Sequence, residues 1–293
     1  MAKKPKATLL VVDALNILHR GFYVTPPMSN KAGVPTNALR GFLNIFMADL
    51  KLVGATHAAV VFDRPGENFR HRLYPEYKAT RGEDDGDTSK DIRSNIPRLR
   101  KILHAMGVKT FGKRGIEGDD MIGSLSHRMS KNGAMVYISS NDKDFGALVS
   151  PTLHLLKPKQ VILDEQGILD TYGVRPDQMV DYLMMLGDTV DNIPGINKVG
   201  PKTAAKWLAK HGTLKATCRN EKFTPKMREN VERARPLFQM TRKLITLDLT
   251  RLANVELADL AIGGPNQDLK PLCDELEFHS TYKTIISTLK TLG

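Results

Sequence analysis

"LLVVD", Leu9–Asp13, is four aliphatic residues closed by an acid. The run is too short for a helix and too apolar for a half-solvated strand, so it predicts a strand buried on both faces. The same phrase returns as "AAVVFD" (58–63), "AMVYISSND" (134–142) and "VILD" (161–164). Between the runs lie segments of helical period. One covers 36–53, with Leu39, Phe42, Leu43, Phe46, Met47 and Leu50, and another 92–106, with Ile92, Ile96, Leu99, Ile102, Leu103 and Met106. Strands alternating with helices predict an α/β sheet rich in parallel pairs, whose ligands collect at the carboxyl ends of the strands. Asp13, Asp63 and Asp142 fall at those ends.

The bulk composition bounds the function. The 293 residues carry 43 Lys+Arg against 32 Asp+Glu, a formal charge of +11, with a pI near 9.6. Such an excess favours a polyanionic partner. No apolar run approaches the roughly 18 residues a membrane helix needs, so a soluble protein with no membrane role is expected. The start "MAKKPKATLLVVD" is too brief in its apolar part for a signal peptide and reads as a basic tip before the first strand. Cys218 and Cys273 stand far apart without metal-binding spacing, which argues against a disulfide framework or a zinc site and fits a reducing cytoplasm.

"RGIEGDDMIG" (114–123) crowds Glu117, Asp119 and Asp120 into four positions of a basic chain. Carboxylates that close raise one another's pKa unless a cation sits among them. A helix cap accounts for one acid there, a turn for Asp142 and Asp144 in "SNDKDF", and a helix start for Asp188 and Asp191 in "GDTVDN". Taken jointly, Asp13, Asp63, Glu117, Asp119, Asp120, Asp142, Asp144, Asp188 and Asp191 form an all-oxygen set suited to Mg²⁺ or Mn²⁺. With those nine set aside the remaining body is about +20. A basic body around an acidic metal pocket suits phosphodiester hydrolysis, in which two divalent ions about 4 Å apart activate water, neutralise the phosphoryl oxygens and stabilise the leaving alkoxide.

From about residue 174 strand signals fade. A helix is expected over 175–187, opened by Pro176 and closed by Gly187, and another over 200–212, between Pro201 and Gly212. "NIPGINKVGPKTAAKW" (192–207) joins them in the form of a helix-hairpin-helix. There Gly195 and Gly200 allow a tight turn near a phosphate, Lys198 and Lys202 flank the start of the second helix, and Lys202, Lys206 and Lys210 recur every four residues along one side. Trp207 reads as core. A basic segment, "FRHRLYPEYKATR" (69–81), begins six residues after Asp63 and so roots at the same sheet edge.

These segments resemble the 5′-nuclease family, the flap endonucleases and the 5′–3′ exonuclease domain of bacterial DNA polymerase I. The resemblance runs from "LLVVDALNILHRGFY" through "VVFDRPGENFRHRLYPEYKATR", "IEGDDMIGSL", "SSNDKDFGALV" and "LMMLGDTVDNIPGINKVGPKTAAKWL" to "LKPLCDELEFHSTYKTI". It implies a PIN-like α/β core over 1–173, with a helical arch at about 70–105. A helical region would follow over 174–293, with a helix-hairpin-helix at about 185–212 and C-terminal helices packed back on the core. The nine carboxylates match the family's metal-site positions, and Lys78 and Arg81 match the basic pair that helps position the scissile phosphate. Arg70 matches a basic position of the same motif, and Tyr77 a residue that holds the unpaired terminal base.

The implied enzyme is a Mg²⁺-dependent, structure-specific 5′ nuclease of replication or repair. It would bind two or more ions and act on DNA with a 5′ flap, nick or free end, or on RNA primers. K⁺ at the hairpin carbonyls, a monomeric state and a polymerase or replication partner for a free-standing nuclease are further implications. The arch motif departs from polymerase-type members: the acidic "GEDDGDTSKD" (82–91) replaces a proline-rich stretch and should weaken local attraction for phosphate. A non-catalytic binder of branched DNA is the rival, which the complete carboxylate set disfavours. A phosphatase would want a second acid two residues after Asp13, where Leu15 stands.

Overall fold

The structure, a computed structural model, describes residues 7–79 and 91–292. Arg81 and all but the last residue of the acidic 82–91 segment lie outside them. Six strands make one sheet: β1 (Thr8–Asp13), β2 (His57–Val61), β3 (Lys109–Phe111), β4 (Met135–Ser139), β5 (Leu153–Lys157) and β6 (Val161–Leu163). Their order is β3-β2-β1-β4-β5-β6, with β1 to β5 parallel and β6 antiparallel at one edge. The four "aliphatic run plus acid" segments became β1, β2, β4 and β6. β3 and β5 did not announce themselves: "KTF" is three residues long, and "LHLLK" is neither β-branched nor closed by an acid.

Alternation along the strands divides the core. Leu9, Val11, Ala59, Val61, Val136, Ile138 and Leu155 face one layer of helices. Leu10, Val12, Ala58, Val60 and Leu156 face another. The second layer holds α1 (Ala14–Val24), α2 (Asn37–Val53) and α4 (Ile96–Ala105), and α3 (Phe69–Leu73) roots the basic segment after β2. α2 starts one residue inside the expected 36–53. The first layer begins with α5 (Gly118–Lys131), whose Met121, Ile122, Leu125 and Met129 are fully buried. Each such side chain contributes about 1.5–3 kcal/mol by leaving water.

β6 is followed by α6 (Glu165–Tyr172), which no expectation covered, and from residue 174 helices dominate as expected: α7 (Met179–Leu186), α8 (Pro201–His211), α9 (Leu214–Asn220), α10 (Pro225–Ala234), α11 (Phe238–Ile245), α12 (Leu269–Glu275) and α13 (His279–Leu292). α12 and α13 bury Leu269, Cys273, Ile285 and Leu289 in the same cluster as α2 and α4. No described helix is long and apolar enough to cross a membrane.

Candidate metal centre and nucleic-acid surface

Parallel strands bring their carboxyl ends to one edge, and chemistry gathers there. In register, Asp13 of β1 stands beside Val61 of β2, and Val12 beside Ser139 of β4. Asp13 caps α1 by accepting the Asn16 N–H at 3.1 Å, and its other oxygen accepts the Ser140 hydroxyl at 2.9 Å. Asp63 accepts the Gly118 N–H at 3.0 Å and so satisfies a free donor at the start of α5. Glu117 is the N-cap residue of that helix but makes no side-chain cap bond, because its carboxylate turns to other partners. Asp142 accepts the Asp144 N–H at 2.8 Å, tying that turn into shape.

The acids share one electrostatic environment. Burial, Asp142 and Asp63 push the Asp13 carboxyl up to about 6, against the bonds from Asn16 and Ser140. Burial, Asp142 and Asp13 hold Asp119 well above the usual carboxylate range. Burial, Asp142, Asp188 and Asp191 push Asp144 up to about 7, with Lys143 opposing. Asp142 therefore belongs to both halves: one with Asp13, Asp63, Glu117 and Asp119, the other with Asp144, Asp188 and Asp191. Such mutual repulsion marks a place short of positive charge.

Two lysines relieve part of it. Lys78 reaches Glu117 at 2.6 Å and Asp191 at 4.0 Å. Its backbone is held in the left-handed region, φ 59°, by its N–H bond to the Asp191 carbonyl. Lys143 reaches Asp188 at 2.8 Å. Burial alone would raise Glu117, but Lys78 and Arg70 hold it below its ordinary value, and Lys143 does the same for Asp188. The donor set around this edge is all carboxylate, which fits hard divalent cations. Among the described residues no three of these side chains stand arranged as a ready metal shell.

Three expected site residues face elsewhere. Arg70, expected among the catalytic residues as a basic position of the arch motif, is 2% exposed; it grips Asp120 through two 2.8 Å bonds, reaches Glu117 at 2.8 Å and donates to the Leu244 carbonyl at 2.8 Å. An ion this buried is stable only when so fully partnered. Asp120 is correspondingly no open metal ligand: Arg70 takes both oxygens, and the Asp248 N–H adds a 2.9 Å bond to one of them. Tyr77, expected to hold a base, is 4% exposed, with its hydroxyl donating to Glu117 at 3.2 Å. Its ring has no free face for stacking, since His71 and Lys78 lie against it. The pattern of residue types does not reveal these directions, and Ser140 and Lys143, which bond Asp13 and Asp188, carry no signal in the sequence because a serine and a lysine are ordinary turn residues.

The hairpin side is built by close backbone approach. α7 ends at Gly187, φ 68°, and a Cβ on Gly195 would stand 2.4 Å from the Leu186 carbonyl, so only glycine lets the two segments cross. The Ile196 N–H bonds the Met185 carbonyl at 2.8 Å, and α8 opens at Pro201 after Gly200, which has open space where a side chain would stand. Lys198, Lys202 and Lys206 are exposed there, whereas Lys210 is tied to Glu221 at 2.8 Å. Trp207 is buried, edge-on to Phe223 at 5.2 Å, in keeping with a core role.

Comparison with known proteins places this geometry. Residues 8–173 match the family model of the 5′–3′ exonuclease N-terminal resolvase-like domain, and residues 174–268 that of the 5′–3′ exonuclease C-terminal SAM fold. The chain is 33% identical over 281 residues to the 5′–3′ exonuclease of Aquifex aeolicus, covering 95% of each. It is 33% identical over 303 residues to DNA polymerase I of Pseudomonas aeruginosa, covering 98% of this chain and 32% of the polymerase. It thus spans about a third of the length of that polymerase. Among solved structures, T5 D15 protein co-crystallised with metal ions superposes with a TM-score of 0.64 at 17% identity, covering 98% of this chain and 99% of that one. Human GEN1 in complex with Holliday junction DNA gives 0.63 at 16% identity, over 97% and 72%. These two likenesses support the fold, and the family models and the Aquifex relative settle the lineage: the chain belongs to the 5′–3′ exonuclease family.

Proposed function

We propose that the protein is a Mg²⁺-dependent, structure-specific 5′ nuclease that hydrolyses phosphodiester bonds near the 5′ end of DNA, at a flap, nick or free end, or of an RNA primer. The carrying observation is that eight carboxylates from five separated segments crowd the carboxyl edge of one sheet, with Lys78 and Lys143 bonded among them. Mn²⁺ would serve in place of Mg²⁺. When bound, two such ions supply an activated water, neutralised phosphoryl oxygens and a stabilised leaving oxygen.

The chain's own residues do the rest. Asp13, Asp63, Glu117, Asp119 and Asp142 would hold one part of the metal set, and Asp142, Asp144, Asp188 and Asp191 the other. Ser140 and the N–H groups of Asn16 and Gly118 orient these carboxylates. Lys78, within reach of Glu117, supplies positive charge where the scissile phosphate would sit, with Arg81 as its expected companion. Arg70 and Asp120 act from beneath by fixing α3 against α5. The start of α8, with Lys198 and Lys202 exposed beside it, would hold backbone phosphates of the duplex without reading sequence, with K⁺ at the turn carbonyls.

We read residues 1–173 as the catalytic core with its arch at about 70–105, and 174–293 as the duplex-gripping region. A monomer acting in the cytoplasm in replication or repair, beside a polymerase, completes the reading. The test is a 5′-labelled flap oligonucleotide incubated with Mg²⁺ and with EDTA. Cleavage near the junction with Mg²⁺ alone, lost in Asp144→Asn, is expected. Cutting in EDTA, or wild-type rates from that variant, would overturn the reading.

A further inference from the structure

We propose that Lys143 is a built-in, exchangeable counter-cation: its ammonium occupies the outward oxygen of Asp188 until a divalent cation takes that carboxylate and expels it. The two oxygens of Asp188 are unequal. Oδ1 accepts the N–H groups of Val190 at 2.9 Å and Asp191 at 3.1 Å and is committed to the turn after α7. Oδ2 is left for a cation, and Lys143 Nζ stands on it at 2.8 Å. The lysine thus holds the oxygen that a metal would need.

Its place in the chain fits the same role. Lys143 lies between Asp142 and Asp144, and the bond from the Asp144 N–H to Asp142 Oδ1 folds that turn tightly. The ammonium therefore sits in the field of Asp142, Asp144 and Asp188 together. Lys157, the other cation at this turn, cannot replace it, because its ammonium is bonded to the carbonyls of Asn141 at 2.8 Å and Asp142 at 3.2 Å. Lys143 is also free to leave: its side chain is 39% exposed on a long stem. A half-exposed single-point ion pair is weak, and a doubly charged ion among the same acids outcompetes it. Before metal arrives, the pair ties the turn after β4 to the turn after α7 and keeps the second half of the carboxylate set together.

The inference rests on the divalent-metal reading above and goes beyond it by assigning Lys143 as a positioning residue that competes with the ion. The test is calorimetric titration of the EDTA-stripped, desalted full chain with Mn²⁺, without DNA, for wild type, Lys143→Met and Lys143→Arg. Removing the competitor should tighten Mn²⁺ binding roughly three- to tenfold in Lys143→Met, the scale of one half-exposed ion pair, and Lys143→Arg should return towards wild type. The melting temperature of Lys143→Met should fall in EDTA and equal that of wild type in saturating Mn²⁺.

A plain structural staple predicts the opposite pattern, with unchanged or weaker Mn²⁺ binding and a melting deficit that persists when metal saturates. Either result overturns the proposal. If Lys143→Met does not fold, Lys143→Gln keeps a donor to Asp188 without the charge and gives the same comparison. Absence of Mn²⁺ binding by wild type itself would overturn the metal reading, whereas binding that Lys143→Met leaves unaltered overturns only the exchange.

Discussion

Asp120→Asn separates two roles that residue type alone leaves entangled. In the structure the Asp120 carboxylate accepts two 2.8 Å bonds from the Arg70 guanidinium and the Asp248 N–H at 2.9 Å. Arg70 is 2% and Asp120 2% exposed, so solvent cannot substitute for either partner. The amide keeps one acceptor but turns an NH₂ towards Arg70, and leaves the guanidinium with Glu117 and main-chain oxygens. Breaking a buried pair from one side costs about 3–5 kcal/mol, and retained acceptors place this variant near the lower figure. Urea unfolding of the metal-free protein should therefore lose about 3 kcal/mol. The double variant Arg70→Met/Asp120→Leu, which removes both charges, should lose less than the sum of its singles. Mn²⁺ affinity of folded Asp120→Asn should stay within about threefold of wild type, because its oxygens face Arg70. A variant of wild-type stability that binds Mn²⁺ more than tenfold more weakly would return Asp120 to the metal set.

Three further outcomes follow from the same geometry. Asp13 and Asp144 have folded pKa values raised to about 6 and 7, so the stability they contribute is complete below the ordinary carboxylate range and is lost as pH rises through those values. The melting temperature in EDTA should fall between pH 5 and 8. Mn²⁺ should restore it, and Asp144→Asn should flatten the profile; a flat wild-type profile would count against the crowding. At the hairpin, Gly195→Ala should cost at least about 3 kcal/mol, because its Cβ meets the Leu186 backbone at 2.4 Å, whereas Gly200→Ala meets nothing within 4 Å and should melt near wild type. Lys78→Ala should lower flap cleavage by about 10²–10³ with flap-DNA affinity little changed, the usual effect of losing one electrostatic contact to a developing charge. Gel shift and single-turnover kinetics measure the two separately.

How much was legible can be seen at individual residues. Asp13, Asp63 and Asp142 could be placed together from sequence because a buried parallel strand has a strong local signature and its carboxyl end is a defined place. Gly187, Pro201 and Gly212 marked the helix ends of the hairpin for the same reason: backbone geometry restricts which residues stand there. β3 was not legible because three residues carry too little periodicity, and because its pairing with β2 is a long-range contact.

The charged interior was legible in kind and not in direction. Arg70, Tyr77 and Asp120 sit in the right motifs, and their types are those of a phosphate, base or metal contact. A guanidinium is equally suited to a phosphate and to a buried carboxylate, and the partner it meets is set by elements far away in the chain: Asp120 is 50 residues from Arg70, and Leu244 is 174.

The layered α/β core, the sheet edge at which acids collect, the hairpin and the excess of positive charge around them can be read along the chain, because each follows from local periodicity, backbone preference or simple counting. Which acids face the open edge, which one is locked to Arg70, and that Lys143 stands on Asp188 are settled by packing across the folded chain. Those choices depend on the direction of single side chains across strand and helix boundaries, where the balance of desolvation and pairing is set by neighbours that no local pattern contains.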